Sequence, residues 1–463
     1  MSFVYDHEGL SFSVRNKSTE LQLSELDIFS ECGYENSIER VRWDKIFCNE
    51  GSLERETDEV VFQVKPHKDM IDLHDSFIGL TLRLRKETED DGITVPAATE
   101  KVVPVNMLIT ALFSDLNIEI NSKAVHNTHG LFWLQSYLQL LLHSSSDSLP
   151  KWESAAGYYD DTKLTLTDPT HADVCANTKR RFDRFKGGKS VTLQAPIFSS
   201  GITNCARLFP SLTEMKFAFK KLTKLAYHVT KPSTVSGTFF MEIQEACLYI
   251  KRVTPYMEIL NSIEDRLNNG VRALYYFENW ITRSWPIDKQ LSSVRIENVL
   301  RTSFLPQTII AGFMDESEIL GSYEASNYKF NDHGISELYL TEGGNTYPST
   351  PFTPDFTAAA PQYGREFCSI HSADGMPGIG IRSDWGLARF NLASYKQHHC
   401  LYRISLTRSI TESSEYEGQT LLEPRRVAAQ MNAHIKFRVK PTGRLHIVLA
   451  MIYNDHIQIA NVT

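Results

Sequence analysis

Apolar and polar residues alternate along most of this chain. In the stretch 335–348, ISELYLTEGGNTYP, Leu338 and Leu340 alternate with Glu337, Tyr339 and Thr341 before Gly343-Gly344-Asn345, and Tyr347 resumes the pattern. That pattern predicts a half-buried strand, a tight turn and a returning strand. A similar one stands some 220 residues earlier, in DLNIEINSKAV at 115–125. There Leu116, Ile118 and Ile120 alternate with polar neighbours, Asn121-Ser122 make the turn and Val125 resumes. Two such hairpins at matching places imply that one unit occurs twice.

The other periodic stretches fit this view. DEVVFQV (58–64), FIGLTLRLR (77–85), SVTLQAPIF (190–198), TEMKFAFKK (213–221) and GTFFMEIQEACLYIKRV (237–253) predict strands in the first half. ALYYFENWIT (273–282), LPQTIIAGFM (305–314), SELYL (336–340), CLYRISL (400–406), HIKFRVK (434–440), RLHIVLAMIY (444–453) and a final HIQIANV do so in the second. The spacing puts Ile435, Phe437 and Val439 inward and joins HIKFRVK to RLHIVLAMIY as a hairpin around Pro441-Thr442-Gly443. VNMLITALF (105–113) reads equally as a short helix or a buried strand, and GLFWLQSYLQLLLH (130–143) as a buried helix. Segment 144–190 reads as loop-rich, with further long loops at 341–365 and 408–428. Pro255, helical spacing at Met257, Leu260, Ile263 and Leu267, and a closing Asn-Gly predict a helical connector. The expected organisation is a polar arm (1–54), a first unit (55–253), the connector (254–270) and a second unit (271–463). Many short strands without alternating helices mean antiparallel sandwiches or barrels.

Length and composition sharpen this. A chain of 463 residues exceeds one ordinary domain, and two sandwiches account for it. Its net charge of −8 argues against a surface that grips nucleic acid throughout. Seven scattered cysteines without a C-x-x-C pair read as free thiols of a reducing compartment. The opening MSFVYDHEGLSFSVRNKS lacks a secretory pattern, and no run is long enough to span a bilayer.

The search for chemistry returns little. FKGGKS (185–190) ends like a phosphate loop, but Asp183 stands where the pattern needs glycine, and VTLQ reads as a strand. GIGIR (378–382) reads as a loop. HHC (398–400) reads as sheet residues rather than a metal set, and the carboxylates of YYDD (158–161) and EDD (89–91) read as solvated. One basic cluster stands out in KRRFDRFKGGK: Lys179, Arg180, Arg181, Arg184, Lys186 and Lys189 face a single Asp183, with Phe182 and Phe185 interleaved. It reads either as a solvated loop anchored by two aromatics or as a contact for phosphate or an acidic partner. No catalytic residues, cofactor or metal are expected.

The order of motifs resembles the double jelly-roll major capsid proteins of Polinton (Maverick) elements and of related adintovirus-like and virophage-like viruses. The stretches that carry the likeness are SELDIF (24–29), MIDLHDSFIGLTLRLRK (70–86), LFSDLNIEINSKAV (112–125), LQAPIFSSGITNCARLFPSLTEMKFAF (193–219) and LPQTIIAGFMDESEILGSYEASNYKF (305–330). Within the last, Leu305, Pro306, Gly312, Gly321, Ser322, Asn327 and Phe330 match the family pattern. Departures are NTHGLFWLQ, where only Asn127 is kept, and Tyr328 in place of proline. The resemblance implies an all-β chain of two consecutive eight-stranded antiparallel jelly rolls with short helices in loops. It further implies a non-enzymatic homotrimer of pseudo-hexameric outline that tiles an icosahedral shell beside penton or minor capsid proteins. Such a protein is made in the host cytoplasm or nucleus and resides in the virion, without reading a nucleic-acid sequence. The alternative is a secreted carbohydrate-binding or glycan-cleaving double jelly roll, against which the unpaired cysteines and the N-terminus speak.

Overall fold

The computed structural model describes residues 37–460 apart from 52, 54–56, 89–91, 144–154, 162–167, 199–200, 204, 206, 223–226, 301–303, 325, 327, 358–361, 372–390 and 407–429; it also places the backbone of two short strands, Val4–Asp6 and Gly9–Ser11. Sixteen strands build four sheets. The first eight are β1 (Ile38–Phe47), β2 (Glu59–Val64), β3 (Met70–Glu87), β4 (Phe113–Ile120), β5 (Lys123–Asn127), β6 (Ser190–Pro196), β7 (Met215–Lys221) and β8 (Phe239–Pro255). They form two antiparallel sheets in the orders β6-β3-β8-β1 and β2-β7-β4-β5. The next eight are β9 (Ala273–Ile287), β10 (Ser293–Ile296), β11 (Thr308–Asp315), β12 (Ile335–Glu342), β13 (Asn345–Phe352), β14 (Leu401–Ser405), β15 (Met431–Phe437) and β16 (Leu445–Ile459). Their sheets run β9-β16-β11-β14 and β10-β15-β12-β13. Raising each first-half number by eight converts one pair of sheets into the other. The fold is therefore two eight-stranded jelly rolls in series.

Period-two patterning builds each sandwich. In β7, Met215, Phe217 and Phe219 are buried while Lys220 is exposed, and Phe217 lies opposite both Phe62 and Ile118. Each such side chain contributes about 1.5–3 kcal/mol when fully buried. The two hairpins that open the sequence analysis are β4–β5 and β12–β13, corresponding strands of the two rolls. The first turns through Asn121 (φ 47°) and Ser122 (φ 62°), the paired left-handed residues of a primed turn. The second turns at Gly343 (φ 63°).

Several sequence expectations need correction. The supposed arm 1–54 contains β1, which pairs with β8 from Cys247 to Pro255, so the first sandwich starts well before 55. Charged residues on β1 concealed it, because an edge strand keeps much of its surface wet. Strand β3 extends FIGLTLRLR to 70–87. VNMLITALF resolves into a helical turn, Leu108–Ala111, followed by β4. The loop-rich segment 144–190 contains helix α2 (Ala176–Phe185), downstream of the buried helix α1 (Phe132–His143). The connector is helix α3 (Met257–Asn268), but Met257 is 67% exposed and only Leu267 is buried. The stretch 341–365 carries β13 and the start of helix α4 (Gly364–His371); 408–428 lies outside the described residues. HIKFRVK and RLHIVLAMIY are not a hairpin: β15 and β16 lie in different sheets, as jelly-roll topology requires, and Val439, beyond the end of β15, is 64% exposed. Leu445–Tyr453 and His456–Ile459, from RLHIVLAMIY and HIQIANV, are instead parts of one strand, β16.

Candidate functional surfaces

Lys179, Arg180, Arg181 and Arg184 of the basic cluster lie on α2 while Lys186 and Lys189 follow it, and its members part company. Arg181 is buried, and its guanidinium donates to both carboxylate oxygens of Asp161 at 2.9 and 2.8 Å. The Tyr159 ring lies 5.4 Å from it, and Asn106 and Cys175 also donate to Asp161. Burial pushes the Asp161 carboxyl up, and Arg181 opposes that rise. Asp161 is thus no solvated member of YYDD. Lys186 pairs with Asp183 at 2.8 Å and holds that carboxyl below its ordinary value. Arg180 reaches Asn177, and Arg184 is half-buried. Lys179, Arg180 and Lys189 are exposed. Phe185 is buried and Phe182 half-buried, so α2 is anchored by its aromatics and by Arg181 together. FKGGKS leads through Gly187 (φ 69°) and Gly188 (φ 62°) into β6, a turn without a following helix.

A second surface joins the two rolls. Helix α1 is mostly apolar and is buried between them, its polar Gln135, Ser136 and Gln139 included. Its Phe132 joins the first core, while Trp133, Leu134, Tyr137, Leu138 and Leu140–Leu142 join the second. Tyr137 stacks on Tyr328 at 4.3 Å, and Trp133 meets Tyr328 at 5.6 Å and Tyr227 at 5.5 Å. Tyr275 and Phe277 belong to β9 yet pack into the first core. Phe209 stacks on Tyr275 at 4.4 Å with the rings 1° from parallel, and the Tyr275 hydroxyl donates to the Leu208 carbonyl at 2.9 Å. Arg207 donates to the Leu274 carbonyl at 2.8 Å. Gly201 (φ +56°) lies so close to Glu278 that a Cβ there would strike its backbone carbonyl. The seam is largely aromatic.

The remaining candidates gather no chemistry. His398 closes helix α5 (Leu392–His398), and His399 and Cys400 lead into β14 rather than forming part of a strand. Burial pushes His399 down to about 3 and Cys400 up to about 12, which keeps both neutral. Among the described residues no group of three or more His, Cys, Asp or Glu is placed to hold a metal. EDD and GIGIR lie outside the described residues. Two surface hollows of about 310 and 320 Å³ are lined by Phe47, Leu53 and Glu245 in one case and by His129, Arg283 and Trp285 in the other. The sequence reading missed the Asp161–Arg181 pair and the seam. The pair spans 20 residues and the seam joins the two halves of the chain, so neither shows in one periodic stretch; the local signal for the seam was the mostly apolar α1.

No known family profile matches the chain. An uncharacterized protein of Caenorhabditis elegans is 20% identical over 286 residues, which are 58% of this chain and 62% of that relative, so the chain spans about three fifths of the relative's length. Among solved structures, a chain of the Sputnik virophage cryo-EM structure aligns over 99% of this chain and 93% of its own, with TM-score 0.61 and 12% identity. The PBCV-1 virus capsid aligns over 94% and 97%, with TM-score 0.56 and 8% identity. The Faustovirus major capsid protein aligns over 94% and 93%, with TM-score 0.54 and 8% identity. The likeness is one of fold: these are double jelly-roll viral proteins, and this chain shares that architecture from end to end.

Proposed function

We propose that this chain is a major capsid protein whose homotrimers, each presenting six sandwiches, tile an icosahedral shell. The observation that carries the reading is the repeated strand order, found twice in one chain and matched along nearly its whole length by viral capsid structures. Two equivalent rolls let three copies fill a near-hexagonal position, which a single roll fills only as six copies. The buried seam keeps the rolls of one copy in fixed relation, as a tile requires. No catalytic role is assigned. Penton or minor capsid proteins complete the shell, and synthesis takes place in the host cytoplasm or nucleus. Of the basic cluster, Lys179, Arg180 and Lys189 are the exposed members and would meet an acidic surface in the shell. The test is light scattering and negative-stain microscopy of the purified full chain. Trimers of pseudo-hexagonal outline are expected; a monomer at every practical concentration overturns the reading.

A further inference from the structure

The connector helix α3 joins the two rolls, yet its apolar stripe is only partly covered. At 3.6 residues per turn Met257, Ile259, Leu260, Ile263 and Leu267 fall on one side of the helix, with Glu258 and Asp265 on the other. Leu267 is buried, and Leu260 and Ile263 are half-buried. Ile259 is 37% and Met257 67% exposed, and Tyr256, just before the helix, is 47% exposed. The stripe is thus covered at the end of the helix and open at its start. A helix this short draws most of its stability from packing such a stripe. Beside the open start lies the place where the N-terminal residues enter the fold. The Tyr256 amide donates to the Ser37 carbonyl at 3.2 Å, and Ile38 pairs with Pro255. Among the preceding residues, ELQLSELDIF (20–29) carries Leu21, Leu23, Leu26, Ile28 and Phe29. The seven residues between Phe29 and Ser37 reach up to about 25 Å when extended, and α3, at 12 residues, is about 18 Å long. Every part of the open stripe is therefore within reach.

We propose that residues 20–29 dock on the open start of α3 of the same chain, as a strap that lays Leu26 and Phe29 over Tyr256, Met257 and Ile259. The segment 20–36 holds five carboxylates, Glu20, Glu25, Asp27, Glu31 and Glu35, and no Lys or Arg. Arg40, opposite Thr254 on β1, and Arg266, on α3, are the exposed cations nearby that those carboxylates would meet. A segment tethered by seven residues is held near its site at high effective concentration, so a small apolar contact suffices to dock it. The same segment of a neighbouring copy lacks that advantage. The inference goes beyond the capsid reading and does not need it, since one chain supplies both parts. Its consequence is that the link between the rolls is covered by the chain's own N-terminal residues.

The test uses the full chain. Peroxide oxidation of Met257, read by mass spectrometry, should run roughly tenfold slower in the wild type than in a Leu26→Asp, Phe29→Asp double variant, because the docked segment exposes Met257 only when it opens. Photo-crosslinking of a Phe29→p-benzoylphenylalanine chain should reach residues 256–267 and give a product that runs as a single chain on a denaturing gel, which keeps the test independent of how the double variant folds. Three results would each overturn the strap. Met257 is oxidised at the same rate in both proteins, the crosslinks join two chains and so assign the face to a neighbouring copy, or Met257 becomes protected only when phosphatidylcholine vesicles are added. Each leaves the capsid reading standing, since that reading is decided by the oligomeric state and not by the cover of α3.

Discussion

Replacing Arg181 with methionine removes the partner of a buried carboxylate and keeps most of the side chain's volume. Asp161 then retains only Asn106 and Cys175, at 3.5 and 3.9 Å, in place of two charged hydrogen bonds. Breaking one side of a buried ion pair costs about 3–5 kcal/mol. The carboxyl can limit that loss by taking up a proton, at about 1.36 kcal/mol for each unit of pKa shift. Burial already raises Asp161 in the wild type, Asp160 adds to the rise, and Arg181 and His398 oppose it. Without Arg181 the carboxyl rises further. An acid raised in the folded state contributes stability that is present below its unfolded pKa and is lost as pH rises through the folded one. The deficit of Arg181→Met should therefore be small near pH 4, grow with pH, and approach about 3 kcal/mol at pH 8. Arg181→Met combined with Asp161→Leu should recover most of the loss, since a well-packed apolar pair often replaces a buried ion pair at little cost. Urea denaturation at pH 5 and pH 8, read on the transition of the first sandwich, measures both effects. A variant within about 0.5 kcal/mol of wild type at pH 8, or a deficit that shrinks as pH rises, would refute the assignment of Arg181 as a structural residue.

Trp133→Ala should cost about 3–5 kcal/mol and uncouple the two rolls, because Trp133 packs on Tyr328 of the second roll; calorimetry should resolve separate transitions, and a wild-type profile would contradict the role given to α1. His126 and His228 are buried in the first roll and pushed down to about 4, so the unfolded chain binds protons that the folded chain refuses between pH 6.5 and 4. Each should withdraw up to about 3 kcal/mol over that range, and melting curves that stay flat from pH 7 to 4.5 would count against it.

What the sequence determined by itself was whatever depends on neighbours a few residues away. Period two in TEMKFAFKK and SELYL, the turns at Asn121-Ser122 and Gly343-Gly344, and the spacing of 257–267 each specify an element through local geometry. Their repetition is legible too, since a duplicated unit repeats its local signals. Only the tertiary structure decided which elements meet. Strand β1 was concealed because an edge strand with charged neighbours carries a weak alternation, and its place beside β8 joins residues some 200 apart. Arg181 looked like one cation among six until the fold brought it to Asp161. HIKFRVK and RLHIVLAMIY looked like a hairpin because the turn between them is short, yet the chain crosses there from one sheet to the other. The burial of Tyr275 in the first core follows from how the two rolls meet. No window of sequence contains that fact, because packing couples residues by distance in space rather than along the chain.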